Sequence, residues 1–305
     1  MGPAPTSYRH IPLLFDASEL ELLRGSLVLD LVRERWESLA REYERLCDGV
    51  PALRTLGFEE FVWARLTVAS RVFGITLAGR KMQALVPGAD LLNHRFPAET
   101  CWGYQDVADG FVMTALQGFA AGQAVHDSYG RKCNSRYLLN YGFVLADNQE
   151  NQARLTFSAR RDEKSFLVPV NLDAPQTQHM FAFLRERHGR RRTSCRRLER
   201  PAARALATAC EHALSRFDTT LAEDDALLSN ARLLMNQRNC ILMRRGEKRV
   251  LHFLLEETGR YCVSFTSRQP PPPHASPRPS GAPVPSPPPP DSLPTTAART
   301  GLLCR

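Results

Sequence analysis

The sequence is 305 residues and 34.3 kDa, 43 % apolar and 24 % charged, with a formal net charge of +8. No stretch reaches the ~18 uninterrupted apolar residues that a membrane span needs, and no basic start leads into an apolar core with a cleavage site. The eight cysteines form no C-x-x-C, which argues against a zinc knuckle or a disulfide framework and points to reduced thiols in cytosol or nucleus, with a plastid left open.

The chain divides by texture. Residues 1–150 carry a net charge of −3 and residues 151–305 one of +11. Near the start, Ser18-Glu-Leu-Glu21 reads as a capping box that opens a helix. Leu27 to Leu46 reads as a second helix, with Leu27, Leu31, Leu39, Tyr43 and Leu46 on its apolar face. Phe58 to Phe73 reads as a third, with Phe61, Val62, Leu66, Ala69, Val72 and Phe73 at three-and-four spacing and Gly74 as its stop. From Leu85 to Val144 short β-like runs such as Phe111–Leu116 are broken by glycines 103, 110, 118, 122 and 130, a compact set of strands and turns.

Helical periodicity returns from about Asn171, in Thr177–His188, Ala202–Phe217 and Leu221–Cys240. Thr220-Leu-Ala-Glu223 is a second capping box, with Asp224 and Asp225 in the first turn, where the helix dipole favours acids. Gly246 reads as the end of that run and Val250–Leu255 as a last strand or a buried helical turn. Thirteen of the 22 prolines lie between Pro270 and Pro294, so residues 269–305 read as a disordered proline-rich tail with polyproline II stretches. Such a tail can dock an SH3 or WW module. Arg185–Arg200 holds eight arginines against two glutamates without interleaved aromatics, a solvated loop rather than a nucleic-acid site.

Two segments carry chemistry: Pro87-Gly-Ala-Asp-Leu-Leu-Asn-His94, and Gly122-Gln-Ala-Val-His-Asp-Ser-Tyr-Gly-Arg-Lys-Cys-Asn134 running on to Leu138-Leu-Asn-Tyr-Gly-Phe143. Taken singly, a Tyr-Gly is usually a turn and an Asn-His usually surface polar; their joint order and spacing is what informs. His94, Cys101, His126 and Cys133 lack metal-ligand spacing, so no metal is expected. His126-Asp-Ser128 holds the residue types of a triad, but consecutive residues cannot form one.

Together the two segments resemble the paired motifs of SET-domain protein methyltransferases, closest to the branch of the Rubisco large-subunit and actin-histidine methyltransferases. Asp218–Leu228 and Arg244–Lys248 resemble that branch's C-terminal domain. The resemblance implies an α+β fold: a helical insert over 8–84, the second half of a β-rich SET core over 85–155, and a mainly helical substrate-binding domain over 156–268. It implies S-adenosylmethionine (SAM) as cofactor and a protein substrate held by the helical domain. Transfer to a lysine is the preferred expectation, with a histidine target or a non-catalytic binding remnant as alternatives. Tyr129 takes the catalytic role, facing the target nitrogen; Asn93, His94, Asp90 and Arg71 contact the cofactor; Tyr141 and Phe143 wall the substrate channel. The segment 129–143 is expected to pass beneath the loop that holds the Asn-His strand.

The sequence departs from the family at its start. There the family's core begins with a strand pair and a glycine-rich turn around the cofactor, and the first ten residues here hold no such pair. A fragment of a longer methyltransferase, with unpaired strand edges and exposed apolar surface, is the expectation.

Overall fold

The computed structural model describes residues 8–263 except 78, 106, 160–161 and 189–199. The proline-rich tail and most of the arginine-rich stretch lie outside the described residues. Among those described, no helix is long and apolar enough to cross a membrane.

A 3-10 turn at Pro12–Leu14 leads into the short helix α1 (Ala17–Glu21). The capping box there is Asp16 with Glu19, two residues before the one expected: Asp16 accepts from the Glu19 amide at 2.9 Å, and Glu19 reaches back to the Asp16 amide at 3.1 Å. Ser18 instead donates its hydroxyl to Asp16 at 2.6 Å. Helix α2 (Leu27–Gly49) starts at Ser26, whose hydroxyl accepts from the Val28 amide. Its buried stripe is Leu27, Val28, Val32, Leu39 and Cys47, rotated by one position from the expected face, and Leu46 is exposed. Apolar residues on adjacent stripes (27/31 and 28/32) leave the sequence unable to choose between them.

Helix α3 (Phe58–Arg71) ends earlier than expected. Val72, Phe73, Ile75 and Thr76 are β-branched or aromatic, and they form strand β1 (Val72–Leu77) paired antiparallel with β2 (Arg80–Leu85). Gly74 therefore sits inside a strand and stops nothing; Gly79, with φ +74°, makes the turn. A second hairpin joins β4 (Thr100–Gln105) to β5 (Gly110–Ala115). Phe73 packs edge-on against Trp102 at 5.0 Å, which seats the first hairpin on the second. Met82, Leu85 and Leu116 are exposed on or beside these hairpins, and each sheet has two strands among the described residues.

Strand β3 (Asn93–His94) pairs parallel with β6 (His126–Asp127), Asn93 opposite His126. The expected run of strands to Val144 is interrupted here: Asn134–Tyr141 is helix α4. Its C-cap Gly142 takes the left-handed conformation (φ +74°), and its amide reaches the Leu138 and Tyr137 carbonyls.

The hairpin β7 (Gln152–Ala159) and β8 (Asp162–Pro169) was not anticipated, and the expected boundary at 155/156 falls inside β7. The hairpin buries Leu155, Phe157, Phe166 and Val168 against α5 (Pro175–His188), α6 (Arg200–Ser215) and α8 (Met235–Val263). The run expected as one helix from Leu221 to Cys240 is two, α7 (Leu221–Leu228) and the start of α8. The Thr220–Glu223 capping box is present as read. Gly246 lies in mid-helix, where a Cβ would come within 2.6 Å of the Asn151 amide nitrogen; the glycine lets α8 cross that loop. Val250–Leu255 is helical. Helix α8 is the shared strut: Cys240 and Met243 join the core of the N-terminal unit, and Val250, Leu251 and Leu254 join that of the C-terminal unit.

A buried carboxyl marks the seam. Glu247 on α8 accepts from the Ser26 hydroxyl at 2.9 Å and the Leu27 amide at 3.4 Å, at the start of α2. Burial pushes its pKa up to about 8, against the opposing pull of those hydrogen bonds and of Arg154 and Arg216. The folded chain therefore binds a proton that the unfolded chain releases near pH 4.5, so stability falls as pH rises from there to about 8 and levels off beyond. We expect denaturant unfolding to show a loss of roughly 2–4 kcal/mol across that range, flattened in Glu247→Gln. Equal slopes for both proteins would remove Glu247 from this role.

Candidate functional site

All seven residues that the resemblance implies as site residues line one cavity of about 460 Å³: Arg71, Asp90, Asn93, His94, Tyr129, Tyr141 and Phe143. Tyr8, His10, Ser70, Leu91 and Leu145 complete the wall. The size suits a cofactor or a small-molecule ligand.

One side of the cavity is charged. Arg71, the last residue of α3, sends Nη1 to Asp90 Oδ2 at 3.0 Å and to the Asp90 carbonyl at 3.3 Å. Its Nε donates to the Tyr8 hydroxyl at 3.3 Å. Asp90 stands in a 3-10 turn (Ala89–Leu91), not in the Asn-His strand, and its Oδ1 accepts the Gly88 amide. Burial raises the Tyr8 pKa, but hydrogen bonds with Thr67, Arg71 and Ser70 outweigh it and leave the phenol below its ordinary value. A phenol that accepts from a guanidinium is more acidic than a free one, and its O–H is the better donor for it.

The other side is aromatic. His94 stands 5.3 Å from Tyr129, 5.0 Å from Tyr137 and 5.7 Å from Phe143 between ring centroids, and Tyr129 stands 4.7 Å from Tyr141. His94 Nδ1 accepts the Tyr129 amide at 3.1 Å. That assigns the ring proton to Nε2, which then donates to the Tyr137 hydroxyl at 3.1 Å, while Tyr137 donates onward to the Gly130 carbonyl at 2.6 Å. Burial, and then the nearby Lys132, hold the His94 pKa below its ordinary value, which agrees with a neutral ring. The chain thus returns from β6 through α4 to close on the strand it pairs with.

Two hydroxyls differ in their engagements. Tyr129 donates to the Leu92 carbonyl at 2.8 Å, so its oxygen is left as an acceptor. The Tyr141 hydroxyl and the Asn93 amide face the cavity without a protein hydrogen-bond partner among the described residues. Burial raises the pKa of both Tyr129 and Tyr141, so both stay neutral phenols.

Tyr8, His10 and Tyr137 were not read as site residues. Tyr137 is one helical turn before Tyr141, and its ring completes the stack on His94. Tyr8 and His10 come from the far end of the chain and carry no local signal. They arrive because the backbone at His10 presses on the Gly142 turn. His126, Asp127 and Ser128 do not converge: His126 Nδ1 meets Glu99 at 2.8 Å, whereas Asp127 accepts from Trp102, Thr100 and the Ser128 amide. They anchor β6 to the β4–β5 hairpin.

Comparison with known proteins follows the same division. The Rubisco LSMT substrate-binding family matches residues 145–251. The SET domain of LSMT bound to lysine and AdoHcy superposes with a TM-score of 0.70 at 19 % identity, covering 86 % of this chain and 70 % of that one. The chain shares the fold of this SET-domain structure. Rubisco LSMT bound to AdoMet gives a TM-score of 0.69 at 20 % identity, over 86 % of this chain and 70 % of that one. Human actin-histidine N-methyltransferase is 22 % identical over 298 residues, 81 % of this chain and 50 % of the relative. Its Gallus gallus counterpart is 23 % identical over 179 residues, 55 % of this chain and 30 % of the relative. The chain thus spans about half the length, or less, of these actin-histidine methyltransferase relatives.

Proposed function

We propose that this chain is a member of the LSMT branch of SET-domain proteins and serves SAM-dependent methylation of a protein side chain, with lysine as the target. The observation that carries it is the convergence of Arg71, Asp90, Asn93, His94, Tyr129, Tyr141 and Phe143 on one cavity from four separate segments. The kinship supports it, since LSMT structures of this fold hold lysine and AdoHcy or AdoMet.

The residues fit the cofactor chemically. Asn93 offers an amide without a protein partner among the described residues, and Arg71 and Asp90 offer charges for a carboxylate and an amine. The aromatic wall offers ring faces, which favour a cation. When bound, SAM supplies a methyl group on a sulfonium. The protein's own work is alignment and exclusion of water, because an in-line displacement needs a neutral amine held at the right angle. Deprotonating a lysine at pH 7 costs roughly 4–5 kcal/mol from its ordinary pKa. Burial among the rings of Tyr129, Tyr141 and Phe143 lowers that cost. Tyr129, its proton committed to Leu92, can accept a hydrogen bond from the target nitrogen and orient its lone pair.

A histidine target is the second reading, favoured by the actin-histidine relatives. An imidazole is largely neutral at pH 7 and would need no such assistance. Mass spectrometry of the methylated residue separates the two.

Calorimetric titration of SAM into the chain tests the proposal. We expect micromolar binding that disappears in Asn93→Ala. A folded, monodisperse wild-type chain that binds no SAM would overturn it.

A further inference from the structure

We propose, resting on the methyltransferase reading above, that His10 sorts the ligands of this cavity by charge: neutral, it admits a sulfonium cation, and protonated it repels one. The imidazole lines the cavity and has no protein hydrogen-bond partner among the described residues. Its position is fixed by backbone contact rather than by hydrogen bonds of its own. A Cβ on Gly142 would lie 2.1 Å from His10 Cδ2 and 2.5 Å from the His10 carbonyl, so only glycine lets the two segments touch. On either side, Asn236 donates to the Arg9 carbonyl at 3.0 Å and Ile11 is fully buried. A ring clamped at its backbone and unpaired at its nitrogens changes the cavity's charge when it titrates and little else.

The charge balance gives that change weight. Asp90 is the sole carboxylate among the described residues lining the cavity, and Arg71 already answers it at 3.0 Å. The remaining titratable groups that face His10 across the cavity are Tyr8, whose ring is 6.0 Å away, Tyr129, Tyr141 and His94. The phenols of Tyr129 and Tyr141 are held neutral, and His94 is tied at both nitrogens. A proton on His10 therefore leaves the lining with an unanswered positive charge. Burial, and then Arg71, keep the His10 pKa below its ordinary value, so the ring is neutral near pH 7 and charges only under acid conditions.

SAM and S-adenosylhomocysteine differ by one methyl group and one positive charge, which makes them the probes. Both are titrated calorimetrically into the wild-type chain, His10→Gln and His10→Phe between pH 8 and pH 4.5. Circular dichroism confirms folding, and the phenylalanine variant keeps the ring's packing should glutamine disturb it. In the wild type we expect the affinity for SAM to fall roughly tenfold more than that for S-adenosylhomocysteine over this range, as a single added charge in a partly desolvated pocket would cause. In both variants the ratio of the two affinities becomes independent of pH. Ratios that follow the same pH course in wild type and variants overturn the assignment of His10 alone, because His94 is common to all three proteins. A wild type that binds neither ligand at any pH overturns the methyltransferase reading, and this proposal with it.

Discussion

Asp224→Ala is expected to destabilise the chain by about 3–5 kcal/mol, the cost of leaving a buried charge without its partner. Asp224 is fully buried in the first turn of α7 and answers two cations on α8. Arg244 reaches its Oδ1 at 2.7 Å and Lys248 its Oδ2 at 2.6 Å. The Lys248 side chain is 1 % exposed, so water cannot replace the lost carboxylate. Its other contacts are the Thr219 hydroxyl at 2.8 Å, the Thr220 carbonyl and the face of Phe217 at 4.9 Å. None of these is an anion. Burial already pulls the Lys248 pKa down while Asp224 pulls it up; without Asp224 the lysine sheds its proton or drags water inward. Arg244 has no such escape. The loss is a large part of an ordinary domain's stability, and it falls on the helix that both cores share. Denaturant unfolding measures it. The double variant Asp224→Ala with Lys248→Met should recover part of the loss, because one of the two orphaned charges is gone. A loss under about 1 kcal/mol in the single variant would mean that water reaches the triad.

That triad shows where the sequence was legible and where it was not. The capping box at Thr220 and the acids behind it were readable because a cap is local: four residues contain all its partners. The same residues do not reveal that Asp224 faces inward, since its cations lie 20 and 24 positions on, across a turn. Gly246 follows the same rule. Read locally it is a helix breaker; in the fold it is the gap through which α8 passes Asn151. The break between α7 and α8 has no local signal, because Leu233, Leu234 and Met235 carry the helical pattern across it, yet Leu234 and Met235 are exposed.

The cavity was more legible than the frame around it. Asn93, His94, Tyr129, Tyr141 and Phe143 sit in two short segments whose joint spacing carries the family resemblance, so the order of the chain itself held the information. Helix α4 lies where the sequence reads as a strand run, yet Tyr141 still lines the cavity and Tyr137 backs His94, because the two are one turn apart and fall on one helical face. Tyr8 and His10 had no such advantage. Their place depends on a contact with Gly142, more than 130 positions away.

Tyr129→Phe is expected to lower methyl transfer by about 10²–10³ while leaving SAM affinity within a few-fold of wild type. The substitution removes one oxygen and keeps the ring, so the 4.7 Å contact with Tyr141 and the 5.3 Å contact with His94 survive. The backbone amide of Tyr129 still donates to His94 Nδ1, so the ring that anchors the Asn-His strand keeps its tautomer. What goes is the hydroxyl whose proton is held by Leu92 and whose lone pair remains for a target N–H. If that lone pair orients the nucleophile, its loss raises the barrier without changing how the cofactor sits. Tyr141→Phe is the instructive partner, because its hydroxyl has no partner among the described residues to fix its direction. A preset acceptor lowers the barrier more than a free rotor, so Tyr129→Phe should be the slower of the two. Transfer of labelled methyl from SAM to a cell extract, with bound cofactor measured in parallel, reads both effects. Should Tyr141→Phe abolish transfer while Tyr129→Phe is nearly normal, the roles are reversed and Tyr129 is a wall.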